Sequence, residues 1–293
     1  MNLVQNAVLV LILLMYAGVE IVSGRYKELN VTRDDNKVDL FMFVLLIVLV
    51  QPLIFGITAK AGSVFFPEAR GTLEWMPWWA MFGILLLADD LTQYWWHRVS
   101  HTPLLWPLHR AHHMAHYMSM RMTYRNNFFY YLMMPGLWFS GALIYLGFDN
   151  VYLVYIIIKL TVIMGAHCAV PWDERLYRFK ALSPLMWLVE RTISTPATHW
   201  AHHAMTNQDG IGHYKGNFGN LLFFWDILFG SAHITRRYPP QVGLKDDQLF
   251  GKERWFAEMF YPVVRSTREH SVLAPGGKAF AEGETAMPPV RGA

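Results

Sequence analysis

The chain has 293 residues and is 54% hydrophobic but only 16% charged, where an ordinary globular domain carries roughly 25% charged residues, so composition argues against a soluble protein. Twelve Trp, fourteen Tyr and nineteen Phe suit residence at a lipid interface. A net charge of +3, with no basic run and no RNA-reading motif, argues against a nucleic-acid partner; the single cysteine, Cys168, rules out an intramolecular disulfide and a thiolate-rich metal site.

Taken in order, Leu3–Val22 is almost wholly apolar and long enough to cross a bilayer core of about 30 Å. No Lys or Arg precedes it and no small-residue cleavage site follows, so it reads as a retained anchor rather than a signal peptide. A polar loop, 25–39, leads to a second span, Leu40–Ala59, which Pro52 is placed to kink. Met76–Trp96 makes a third span that delivers His97. Asp89 and Asp90 lie inside it, where ionisable groups are costly and usually functional. Asp90 is on the helical stripe of His97 and His101, placed to accept the second N–H of a ligand imidazole. Trp75, Trp78, Trp79, Trp95, Trp96 and Trp106 read as an interfacial belt and core packing, a lipid tunnel being the sharper alternative.

Six of the thirteen histidines then fall between His97 and His116. His97 and His101 share one helix face, as do His109, His112 and His113. Thr102-Pro103 looks like a cap with proline at the first helical position. Phe128–Phe148 and Val151–Val170 form an apolar hairpin turning at Asp149-Asn150, either spanning or re-entrant. Lys159 sits mid-arm, snorkelling or facing protein, and His167 returns to the level of the other histidines. Residues 172–191 are amphipathic and basic, as in a helix lying on the membrane surface. Thr195-Pro196 repeats the cap and proline before His199, His202 and His203. Asn217–Gly230 is apolar but short for a span, and from Arg265 the Gly-, Pro- and charge-rich tail reads as disordered. Lys and Arg asymmetry puts the N-terminus outside and every histidine cluster in the cytoplasm. The C-terminal V-R-G-A is not a retrieval signal, which favours a bacterial inner membrane.

Nine imidazoles converging in an apolar chain are costly to bury with nothing to bind, and transition metals suit them. A zinc hydrolase needs a general base such as the Glu of H-E-x-x-H, which no box supplies. A haem protein needs only one or two axial histidines. Two redox metals with open positions for dioxygen use the inventory best, and zinc cannot cycle. The expected ligands are His97, His101, His109, His112, His113, His167, His199, His202 and His203. His116, His213, Asp90 and Asp226 are further candidates for the metal or for groups behind its ligands. His233 reads as a surface or capping residue and His270 as idle. Tyr124, Arg125 and Asn126 are placed to line a substrate entrance.

These motifs resemble the fatty acid hydroxylase / sterol desaturase superfamily of integral-membrane di-iron enzymes. Its H-x-x-x-H box matches His97–His101 and its two H-x-x-H-H boxes match His109–His113 and His199–His203. The linker H-T-P-L-L-W-P-L-H, Pro196 and the closing N-F-G-N-L-L-F-F-W-D-I-L-F-G are similar too. Where the family often has H-x-N, His167-Cys168-Ala169 keeps the His and lacks the Asn. The resemblance implies two iron ions and O2-dependent hydroxylation of a lipid C–H bond, with desaturation at the same site as the alternative. A non-enzymatic lipid or metal sensor is the alternative of another class. No G-x-G-x-x-G opens a helix, so the electrons are expected from a ferredoxin- or cytochrome-type carrier with its reductase, docking on the basic face. The expected fold is all-α: an integral membrane bundle of about four or five hydrophobic helices under a cytoplasmic histidine-rich helical cap. The expected division is 1–75 for the N-terminal spans, 76–235 for the di-iron domain and 236–293 for a polar C-terminal segment.

Overall fold

The computed structural model describes residues 3–268 and 271–277. They are helical throughout, with no strand among them beyond two isolated bridges, Ile193 with Leu222 and Ala204 with Val242. Helix α1 (Leu3–Val22) rises to the level of the histidines, where the buried carboxylate of Glu20 accepts from Ser119 Oγ (2.6 Å) and from the backbone N–H groups of Met120 (2.8 Å) and Ala169 (2.9 Å). Helix α2 (Arg33–Phe65) starts at the same level on a Thr32–Asp35 capping box and runs away from it. Helix α3, residues 78–100, comes back. Its middle is a π-helical stretch, Leu86–Leu91, matched by Leu46–Val50 in α2.

Two stretches are long and apolar enough to cross a bilayer, Arg33–Phe65 and Phe128–His167, and only 22% of each apolar window is buried. A soluble core helix would be enclosed. Here Leu40, Val44, Val48, Leu53, Phe139 and Val154 are exposed, the outward apolar surface of a membrane protein. Phe128–His167 is not one straight rod. Helix α5 (Pro135–Leu143) and helix α6 (Asp149–His167) meet at Gly147, whose φ of 112° only glycine adopts readily. The far-side loop supplies donors to the end of the first arm: Gly71 N–H bonds Tyr145 O and Leu73 N–H bonds Leu146 O. The arms are a hairpin, since Gly136 of one and Lys159 of the other both meet Asp89 of α3 between them. The turn is therefore at Gly147, two residues before the expected Asp149-Asn150.

On the histidine side, α4 (Trp106–His113), α7 (Ser183–Thr192), α8 (Pro196–His202) and α9 (Phe224–Phe229) build a cap. The Thr195-Pro196 start of α8 is a full capping box. Thr102-Pro103 is not its twin: it lies in a turn, Thr102 O accepting from Leu105 and Trp106 N–H, and α4 begins three residues later with Pro107 in its first turn. Beyond α10 (Lys245–Phe250) and α11 (Trp255–Phe260), Val272 and Leu273 are buried against Ala257 of α11. His270 and residues 278–293 lie outside the described residues. Of the tryptophans, Trp75, Trp78 and Trp79 are 65% exposed or more, an interfacial belt.

A candidate metal centre between the cap and the spans

Four elements deliver the histidines. The C-terminal turn of α3 carries His97 and leaves His101 as its cap. Helix α4 carries His109, His112 and His113, α6 ends on His167, and α8 carries His199 and His202 with His203 as its cap. Their side chains sort into two groups. The ligand-capable nitrogens of His97, His101, His109, His113 and His202 lie within 4.8 Å of one another, and so do those of His112, His167, His199 and His203. All nine expected histidines are thus brought together, five and four.

The ring orientations are fixed from behind. His97 Nδ1 is 2.7 Å from Phe218 O, His109 Nδ1 2.8 Å from Asn126 Oδ1 and His112 Nδ1 3.1 Å from Arg125 O. His167 Nδ1 is 2.8 Å from Ile163 O and His202 Nδ1 2.7 Å from Gly216 O. Each acceptor takes an Nδ1–H and thereby leaves the Nε2 lone pair facing inward. In the five-membered group the Nε2 atoms of His97, His109, His113 and His202 are buried with no hydrogen-bond partner. In the other group the Nε2 atoms crowd one another: His112 to His167 is 3.3 Å, His199 to His167 2.8 Å and His203 to His199 3.1 Å. A buried polar atom left unsatisfied costs about 1–3 kcal/mol, so facing lone pairs on this scale fit a cation between them. Burial also holds His109, His112, His113, His199, His202 and His203 well below the usual imidazole pKa, so they are neutral near pH 7, as metal ligation requires.

The remaining candidates lie outside both groups. Asp90 meets no imidazole: it accepts from Leu221 N–H (3.2 Å), Leu222 N–H (3.1 Å) and Trp225 Nε1 (2.8 Å). It faces the same returning 217–230 segment whose Phe218 O holds His97, but it bonds that segment rather than a ring. Asp226 accepts from Phe218 N–H (2.8 Å), Gly219 N–H (2.6 Å) and Ser231 Oγ (2.6 Å), so it shapes the loop whose Phe218 carbonyl holds His97. His213 is tied to α8 by its backbone N–H to Ala201 O and pairs its ring with His233. His116 packs beside Gly243. Of the residues read as lining an entrance, Tyr124 and Asn126 line the cavity, and Asn126 Oδ1 and Arg125 O are also the acceptors behind His109 and His112. Their role had no sequence signal beyond their place after the second box. Glu20, which locks α1 beneath Ala169, had none.

Below the histidines an apolar cavity of about 640 Å³ opens among α1, α2, α3, α5 and α6. His97, His109, His112 and His167 form part of its wall, with Leu46, Ile47, Leu160 and Met164 further down. No solved structure matches the chain. A sequence model of the fatty acid hydroxylase family matches residues 82–231, about half of the chain and every one of the nine converging histidines. With its histidines gathered at the head of an apolar cavity between membrane helices, the chain belongs to the fatty acid hydroxylase family.

Proposed function

We propose that the protein is a membrane-bound di-iron oxygenase that hydroxylates a C–H bond of a lipid with O2 and two electrons from an external donor. The observation that carries this reading is the two inward-facing histidine groups at the end of an apolar cavity. His97, His101, His109, His113 and His202 would hold one iron, and His112, His167, His199 and His203 the other. The all-imidazole donor set suits iron, and two irons would supply the dioxygen activation that an unactivated C–H bond demands. The protein's part is to exclude water with the cavity walls, to fix the substrate carbon beside the histidines, and to hold each ring through its Nδ1–H. Family membership supports lipid oxidation; product analysis would separate hydroxylation from desaturation.

An external donor is supported by the lack of a nicotinamide fingerprint and by exposed Arg175, Arg178, Lys180 and Arg237 on the cap, a face suited to an acidic carrier. The same basic residues support a cytoplasmic cap. The test is metal analysis with Mössbauer spectroscopy on protein expressed with iron-57. About two irons per chain as a coupled pair, lost in His112→Ala and His202→Ala, is the expected result. Zinc alone, with no iron after anaerobic reconstitution, would sink the reading.

A further inference from the structure

The cavity is not uniformly apolar. Lys159 and Asp89, 6% and 3% exposed, form an ion pair with Nζ 2.5 Å from Oδ2, and both residues line the cavity together with Gln51 and Tyr152. A buried pair between spans carries a desolvation penalty that its mutual attraction often fails to offset. Packing α3 against α6 does not by itself call for charge. Both partners lie at the same depth by independent routes: Lys159 is eight residues before His167 on α6, and Asp89 eight before His97 on α3. At 1.5 Å per residue each is about 12 Å below the histidines. The wall of α6 continues through Ile156 to Tyr152, which makes the cavity about 22 Å long by the same rise.

Resting on the proposed oxygenase site, we infer that the Lys159–Asp89 pair is the polar anchor of the substrate, and that the substrate is an elongated lipid carrying an uncharged oxygen function, a hydroxyl or carbonyl, about 12 Å from the carbon presented to the histidines. The ammonium has three donors. Asp89 takes one, leaving two for an oxygen in the cavity. Asp89 also neutralises the site, so a carboxylate would gain little from Lys159 while meeting a like charge beside it. A plain hydrocarbon would leave the donors unanswered. The pair therefore selects an alcohol or ketone over both a free fatty acid and an alkane, and it sets which carbon lies at the histidines.

The test uses the purified protein in nanodiscs and radiolabelled dodecane, 1-dodecanol and dodecanoate, with binding measured against empty nanodiscs and iron content measured in parallel. Wild type is expected to bind dodecanol about ten- to a hundredfold more tightly than dodecane, the range of one hydrogen bond to a charged donor, and to prefer it to dodecanoate. Lys159→Met should erase that preference. Asp89→Asn should turn it toward dodecanoate, because the ammonium then loses its direct carboxylate partner and keeps only the more remote Asp90, which Leu221, Leu222 and Trp225 already engage; a pair that only clamps two helices would show no such reversal. Equal binding of the three probes by wild type, or an unchanged preference in either variant, overturns the inference. Should Lys159→Met fail to fold, the reversal in Asp89→Asn decides alone. Because the readout is binding, an alcohol preference without iron would remove the oxygenase reading and leave the anchor, whereas two irons with no preference would do the opposite.

Discussion

A histidine that offers one nitrogen inward must place its other N–H somewhere, and five of these rings place it on a carbonyl oxygen. Four of the five acceptors are backbone, and Asn126 is the exception. This explains what was legible at residue scale. The box histidines stand at i, i+3 and i+4, and a helix turns that spacing into one face. A backbone acceptor carries no residue signature, so the pins could not be read. Asp90 misled for a related reason: it lies on the side of α3 that His97 uses, but the donors it meets there are the backbone of Leu221 and Leu222 and the Trp225 indole, which helical spacing does not announce. Asn126 is the one pin that mutation can remove. Asn126→Ala leaves His109 free to change tautomer and orientation, and metal affinity should fall about 10- to 100-fold, with a loss of about 1–3 kcal/mol in stability from the stranded Nδ1–H. Asn126→Asp, which keeps an acceptor oxygen, should retain most of it. Chelator titration of the two variants checks this, and equal metal retention in Asn126→Ala and wild type would contradict it.

At the scale of elements, the segment Asn217–Gly230 was recognised as apolar and too short to span, and its use is now plain. Seven residues of irregular chain precede α9, and their polar backbone is buried at the level of the spans, where water is scarce. Two carboxylates from different elements satisfy it. Asp90 of α3 takes the N–H groups of Leu221 and Leu222, and Asp226 of α9 takes those of Phe218 and Gly219. Gly219 is required where it is, since a Cβ there would stand 2.8 Å from Asp226 Oδ2 and 2.6 Å from Leu222 O. The loop then presents Phe218 O to His97. Asp226→Ala strands three donors in a buried place, and a loss of about 2–4 kcal/mol is expected, together with weaker metal retention through His97. Asp226→Asn keeps one acceptor oxygen and should fall between. Denaturant unfolding in detergent with parallel metal analysis measures both. A destabilised Asp226→Ala protein with full metal content would break the proposed link between the loop and the ring.

Across the whole molecule, the spans and the histidine cap were legible because apolar length and helical spacing are local properties of the chain. What closes the cap was not, because it is made by partners far apart in sequence. Arg110 lies between two of the boxed histidines and is 1% exposed. Its guanidinium pairs with Asp246 at 2.9 Å, with Asp247 at 2.5 Å and with Glu258. These three carboxylates come from α10 and α11, in the segment 236–293 that the sequence marks as polar and C-terminal. In the fold they make the C-terminal segment the outer wall of α4; burial pushes the guanidinium pKa down, but Asp247 and Asp246 favour its charged form and hold it above its usual value. Arg110→Met leaves Glu258 buried without its cation and Asp247 with only Arg268 at 3.8 Å, a loss of about 3–5 kcal/mol, and α4 is the element carrying three of the nine histidines. The variant should therefore lose stability and metal together. Deletion of residues 245–293 should be no better, because α4 then loses its outer wall and Arg110 all three of its partners. Replacing Arg110 and all three carboxylates by apolar residues of similar volume should recover much of the loss, since the cost lies in the unpaired charges rather than in the missing attraction. Thermal unfolding and iron content of these three proteins decide it: a truncated chain that melts and binds metal as wild type does would show that the C-terminal segment does not hold the centre in place.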